Sequence, residues 1–187
     1  MTIMKQFLAV LLILLPFVAS AQKGLDPSSL LEPPIDTWPT YHGDYSGRHY
    51  SSLKQINSAN VKSLSLAWIH RANLGSAGAI VGGEGTDEYA GGSIKAIPLM
   101  VNGILYFSTP DNAFAVDART GREIWHYFWK TRGGIHIGNR GMGMYGNWLY
   151  FETPDNYRVS LDTTTGKERW HKLIADVKQE YVSTPAP

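Results

Sequence analysis

Apolar residues in the middle of the chain come in short runs closed by turn-forming pairs. Leu99-Met100-Val101 leads through Asn102-Gly103 into Ile104-Leu105-Tyr106-Phe107. Asn and Gly both tolerate positive φ, so this spacing predicts a hairpin. Pro110-Asp111-Asn112 sets the next turn before Phe114-Ala115-Val116. Thr120-Gly121 then turns the chain into Glu123-Ile124-Trp125-His126-Tyr127. The pattern predicts four short antiparallel strands. The 3.6-residue periodicity of a helical repeat is missing.

The unit then recurs. Leu105-Tyr106-Phe107-Ser108-Thr109-Pro110-Asp111-Asn112 reappears 44 residues later as Leu149-Tyr150-Phe151-Glu152-Thr153-Pro154-Asp155-Asn156. Asp117, Thr120, Gly121, Glu123, Trp125 and His126 reappear 45 residues later as Asp162, Thr165, Gly166, Glu168, Trp170 and His171. A four-stranded repeat of this length is one blade of a β-propeller, stacked on its neighbours. Trp125 and Trp170 fall in the last strand of each unit, and Trp68 in Leu64-Ser65-Leu66-Ala67-Trp68 matches that position in an earlier unit. Each indole is expected to pack between adjacent blades.

Composition narrows the class. Seventeen Lys+Arg stand against 16 Asp+Glu, which lacks the basic excess of a nucleic-acid binder. At 43% hydrophobic and 12% aromatic the chain can build a core. With no Cys in its 187 residues, this stretch holds no disulfide, thiolate zinc site or cysteine nucleophile. Met1 to Ala21 reads as a signal peptide, with Lys5, an apolar run from Phe7 to Val18 and a small-x-small end at Ala19-Ser20-Ala21. That apolar run is short of the roughly 20 residues of a membrane span. The expected domain plan is a leader at 1–21, a linker at 22–37 and an incomplete propeller at 38–187, with no membrane span after cleavage. The location expected is periplasmic or secreted.

The pattern Asp-x-x-Thr-Gly-Lys/Arg-Glu-x-x-Trp, at Asp117 to Trp125 and Asp162 to Trp170, resembles the tryptophan-docking motif of pyrroloquinoline-quinone (PQQ) dehydrogenases. Trp38-Pro39-Thr40-Tyr41-His42-Gly43-Asp44 with Ser46-Gly47-Arg48 and Leu53-x-x-Ile56-Asn57 resembles the opening of the methanol/ethanol dehydrogenase group. Ile137-Gly138-Asn139-Arg140-Gly141 resembles its Asn-Arg-Gly step. The resemblance implies an eight-bladed propeller with PQQ in a central funnel, calcium or a lanthanide beside it, a small alcohol as substrate and a cytochrome c-type electron acceptor. This chain would supply about two to three of those blades. Eight units of this period need about 350 residues, so the chain reads as the N-terminal fragment of a longer protein. Alone it is expected to be inactive, and to aggregate or stay partly unfolded through its uncovered blade face. The catalytic base and the metal ligands are expected downstream of Pro187.

The repeat register supplies a test of that resemblance. Lys95, Arg140 and Thr184 occupy one position in three successive units, offset by 45 and then 44 residues. Innermost strands line a propeller's channel, so these residues are expected to form one polar arc. Two cations and a hydroxyl suit a ligand carrying several carboxylates. In the family, Arg140 matches an Arg that pairs with the quinone, and Thr184 matches a cofactor-contacting hydroxyl. The resemblance adds Asn139 to the cofactor-binding set. Two departures stand out. The group usually has Glu where this chain has Lys95, and often a Cys pair where it has Gly134-Ile135. The cover over the cofactor is then expected from Gly133-Gly134 with His136.

Other candidates read as structural. Gly75 to Gly92 lacks a Gly-Lys-Ser/Thr step and is expected to be a blade insertion. His126 and His171 are repeat equivalents, and Asp111 and Asp155 are expected to form Asx turns. Two further functions stay open: a non-enzymatic propeller serving as an envelope assembly or interaction scaffold, and a quinoprotein sugar or polyol dehydrogenase.

Overall fold

The computed structural model describes residues 24–72, 94–131, 139–179, 181 and 183–187. The leader, the Gly75 to Gly92 stretch, Gly133 to Ile135 and His136 lie outside the described residues.

Two four-stranded antiparallel sheets follow one another in the chain. The first holds β1 (Leu99–Val101), β2 (Ile104–Thr109), β3 (Asn112–Asp117) and β4 (Glu123–Phe128). The second holds β5 (Gly143–Tyr145), β6 (Trp148–Glu152), β7 (Tyr157–Asp162) and β8 (Glu168–Leu173). Spatial order equals chain order in both, the up-and-down meander of a propeller blade. Regular helix among the described residues is limited to short 3-10 turns at Pro27–Leu31, Val61–Ser63 and Val177–Gln179.

Local chemistry accounts for each turn. Asn102 and Gly103 both take positive φ, at 52° and 75°, as a two-residue hairpin requires. At the β3–β4 turn the Asp117 carboxylate accepts the backbone N–H groups of Arg119 and Thr120 and the Thr120 hydroxyl. Asp162 does the same for Thr164 and Thr165. The Asp-x-x-Thr-Gly signature is therefore a self-capped turn, repeated bond for bond. Each blade also carries its register irregularity at the same place, Ala115/Val116 and Ser160/Leu161.

The main core lies between the two sheets. Leu99, Val101, Tyr106 and Ala115 of the first face Met144, Leu149, Phe151 and Leu161 of the second, with Met142 just before β5 in the same cluster. Phe107, Phe114 and Val116 point to the other side of the first sheet, where Trp68 and Ala72 cover them. Strands buried on both faces explain why β2 and β3 read as nearly continuous apolar runs.

Tryptophan docking joins the blades. The Trp125 indole donates to the Thr163 carbonyl at 2.9 Å and lies over Gly166, where an added Cβ would sit 2.6 Å from its ring. Trp68 repeats the arrangement one step earlier, donating to the Ala118 carbonyl at 3.2 Å and covering Gly121. Trp68 was expected in a strand, yet residues 64–70 form none. The segment keeps the docking contact without strand partners to complete a ladder. Trp170, the third equivalent, is 37% exposed on a β8 that is exposed along its length.

Replacing Trp125 by Phe isolates the docking hydrogen bond. The variant should lose about 0.5–1.5 kcal/mol, because the buried Thr163 carbonyl keeps only the longer Tyr106 hydroxyl bond, at 3.4 Å, while most of the ring contact survives. Urea unfolding of the full-length protein checks this, and an unchanged midpoint would contradict it.

The segment expected as a linker adds to the core. Leu25 and Leu30 are buried in the inter-sheet cluster. Leu25 bridges to Gly146, and Trp38 bridges to Met100 of β1. The chain before the first blade thus pairs with β1 at Met100 and touches the β5–β6 turn at Gly146, covering one hydrogen-bonding position at each.

Candidate functional site

Three inner segments converge on Gly141. An added Cβ there would lie 3.4 Å from the Ile97 carbonyl oxygen and 3.7 Å from the β-carbons of both Ala96 and Ala186. Its φ of +130° also favours glycine. The Arg140 N–H donates to the Thr184 carbonyl at 3.1 Å. The segments carrying Lys95, Arg140 and Thr184 are therefore neighbours in space, in the order their repeat register predicts. Lys95 and Arg140 are exposed and Thr184 half-buried. Among the described residues neither cation joins an ion pair.

Asn139 is placed differently from its neighbour. It is 3% exposed, and its amide is occupied on both sides. Oδ1 accepts the Ser108 hydroxyl at 2.6 Å and the Gly141 N–H at 2.9 Å, while Nδ2 donates to the Glu152 carbonyl at 3.0 Å. These bonds pin the Arg140-Gly141 turn against the ends of β2 and β6. Its spacing beside Arg140 could not reveal this, because the partners are 31 and 13 residues away.

The same edge of the sheets carries two buried carboxylates. Asp111 and Asp155, expected to form Asx turns, instead reach the chain leaving the first blade. Asp111 accepts the Thr131 hydroxyl, and Asp155 accepts the Trp129 indole N–H at 2.8 Å and the Thr153 hydroxyl at 2.6 Å. In the meander, β2 and β4 run the same way, so the β2–β3 turn meets the end of β4. Burial pushes the Asp111 carboxyl up from 3.8 to about 6; the Thr131 hydrogen bond opposes this, and the Asp155 charge adds to the rise. A raised folded-state value means the folded form holds the proton more tightly. Stability from this group is full below about pH 4 and is lost as pH rises through about 6, by about 2–3 kcal/mol. Asp111→Asn should therefore gain on wild type at pH 7 and lose that advantage by pH 4. Paired thermal melts at the two values check the sign, and a constant difference would contradict it.

The two repeat-equivalent histidines are held by packing. His126 stacks on Phe114 at 4.3 Å, with a ring nitrogen 2.7 Å from the Asn112 side-chain oxygen, and burial lowers its pKa. His171 lies 2.6 Å from Glu168 and edge-on to Trp129. Among the described residues no group of three His, Cys, Asp or Glu side chains is gathered to hold a metal ion.

A two-blade meander with docking tryptophans, and three inner segments presenting Lys95, Arg140 and Thr184, define a piece of a quinoprotein-type β-propeller. Residues 38–147 match the family described as "PQQ: Glucose/ethanol/alcohol dehydrogenase, beta-propeller domain", and the chain belongs to it. It is 37% identical over 142 residues to the quinohemoprotein alcohol dehydrogenase of Comamonas testosteroni, covering 72% of this chain and 18% of that protein. It is 36% identical over 146 residues to the quinoprotein alcohol dehydrogenase PedH of Pseudomonas putida, covering 75% of this chain and 22% of the relative. The crystal structure of the Comamonas testosteroni enzyme superposes with a TM-score of 0.65 at 33% identity, over 80% of this chain and 21% of that one. A europium-containing methanol dehydrogenase superposes with a TM-score of 0.61 at 28% identity, over 86% of this chain and 26% of the other. The chain thus spans about a fifth of the length of the relatives it matches.

Proposed function

We propose that the chain is the N-terminal portion of a periplasmic or secreted quinoprotein that oxidises small alcohols, and that Lys95, Arg140 and Thr184 bind its PQQ. The observation that carries this is the convergence on Gly141, which makes the segments carrying Lys95, Arg140 and Thr184 neighbours, with neither cation in an ion pair among the described residues. PQQ carries several carboxylates. Cations outside the ion pairs of the described residues are available to them without first breaking such a pair. Asn139 joins this set through its own hydrogen bonds, which hold the turn that presents Arg140. The residues present fit the cofactor's anionic rim.

When bound, PQQ supplies the two-electron acceptor for alcohol oxidation, with calcium or a lanthanide as Lewis acid. The described residues bind and orient. The base and the metal ligands belong to sequence beyond Pro187, and a cytochrome c-type protein takes the electrons. The domain plan follows: a leader at 1–21, a segment at 22–37 that runs onto the blades, and the first blades of the propeller from 38.

Reconstitution tests the reading. The full-length protein, supplied with PQQ and calcium or a lanthanide, should reduce an artificial dye with small primary alcohols. Sugars and polyols in the same panel separate the substrate classes. A full-length protein that takes up no PQQ would overturn the proposal.

A further inference from the structure

We propose that Glu152 is a positioning residue for the cofactor edge, setting Arg140 and Thr184 relative to one another; this rests on the function proposed above. Glu152 ends β6 and is 3% exposed. Its three acceptor oxygens have separate tasks. The backbone carbonyl accepts the Asn139 amide at 3.0 Å. Oε1 accepts the Arg158 guanidinium, Nη2 at 2.5 Å and Nε at 3.2 Å. Oε2 accepts the Ser183 hydroxyl. One residue therefore grips both the segment carrying Arg140 and the segment carrying Thr184.

The repeat shows that this grip is a station in the blade. Ser108 is the equivalent of Glu152, and Asn139 is the equivalent of Ser183, both at an offset of 44 residues. Ser108 donates its hydroxyl to Asn139, whereas Glu152 accepts the hydroxyl of Ser183. Donor and acceptor have changed sides together, so the bond survives a double change of residue type. In both blades it joins the end of the second strand to the residue just before the inner-segment position, Arg140 or Thr184.

Charge explains the role of Arg158. An unpaired buried carboxylate close to a polyanionic cofactor would repel it and would itself be costly. The Arg158 guanidinium neutralises Glu152 from the β7 side, 42% exposed and so still partly hydrated. Among the described residues Arg140 and Lys95 join no ion pair, so Arg158 rather than either of them neutralises Glu152.

Three variants of the full-length protein test this: Glu152→Ala, Glu152→Gln and Ser183→Ala. The readouts are the PQQ Kd by titration and amide hydrogen exchange of the Arg140 and Thr184 segments in the cofactor-free protein. Glu152→Ala should weaken PQQ about tenfold and speed exchange at the Arg140 N–H, by losing a charged hydrogen-bond acceptor. Ser183→Ala should reproduce much of that loss while leaving the Arg158 pair intact, and it carries the test if Glu152→Ala fails to fold. Glu152→Gln keeps an acceptor for Ser183 and should stay within about threefold of wild type. Wild-type Kd in Ser183→Ala, or faster exchange with an unchanged Kd, would overturn the proposal, since Glu152 would then only hold the fold. Failure of the wild-type protein itself to bind PQQ marks instead the failure of the underlying function.

Discussion

Replacing Gly166 by Val should destabilise the full-length protein by about 3 kcal/mol or more, among the largest effects of any single change in these blades. Two independent costs combine. Gly166 has φ +67°, which a β-branched residue adopts only under strain. Its missing Cβ would also lie 2.6–2.9 Å from three carbons of the Trp125 ring. The ring cannot retreat freely, because its N–H is bonded to the Thr163 carbonyl and the indole sits in the inter-sheet core. Gly103 supplies the control. It has φ +75° but nothing within 4 Å of an added Cβ. Gly103→Val then measures backbone strain alone, and the excess in Gly166→Val measures the lost docking. Denaturant unfolding of both variants decides the matter. Equal losses would mean that the tryptophan contact contributes nothing beyond strain.

Replacing Arg140 by Leu should weaken PQQ binding by about a hundredfold or more, the scale of losing a charged partner in a desolvated contact. The substitution leaves the turn intact, because that turn is held by backbone and by Asn139 rather than by the Arg140 side chain. Lys95→Leu should cost less, since a flexible ammonium gives fewer directional bonds than a guanidinium fork. Titration of the full-length apoprotein with PQQ checks both, with a thermal melt to show that folding is unaffected. Wild-type affinity in Arg140→Leu would remove the cofactor assignment of this edge.

Much of the fold is legible in local chemistry. Asn102-Gly103 and Asp117-x-x-Thr120-Gly121 specify their turns by φ preference and self-capping, which need no distant partner. The 44–45-residue repeat then fixes strand number and order, and with them the alignment of Lys95, Arg140 and Thr184. The burial of Leu25 and Leu30 was hidden, because the core they join is built from strands that begin at Leu99, and Leu25 bridges as far as Gly146. So was the work of Asp111 and Asp155. A turn-position aspartate reads as an Asx turn until tertiary packing brings Trp129 and Thr131 against it.

Glu152 shows where the division falls. As a sequence position it is only the polar residue standing where its repeat partner has Ser108. Its function as a double acceptor arises when Ser183 and Arg158 reach it, and both distances are set by the stacking of strands. The amino-acid order by itself determined the blades, their docking tryptophans and the repeat register of Lys95, Arg140 and Thr184, since these rest on short-range geometry and on repetition. Which polar groups are spent inside the structure, as in Asn139, and which stay available, as in Arg140, was decided only by tertiary packing. Hydrogen-bond satisfaction in a buried site depends on partners brought together from distant parts of the chain.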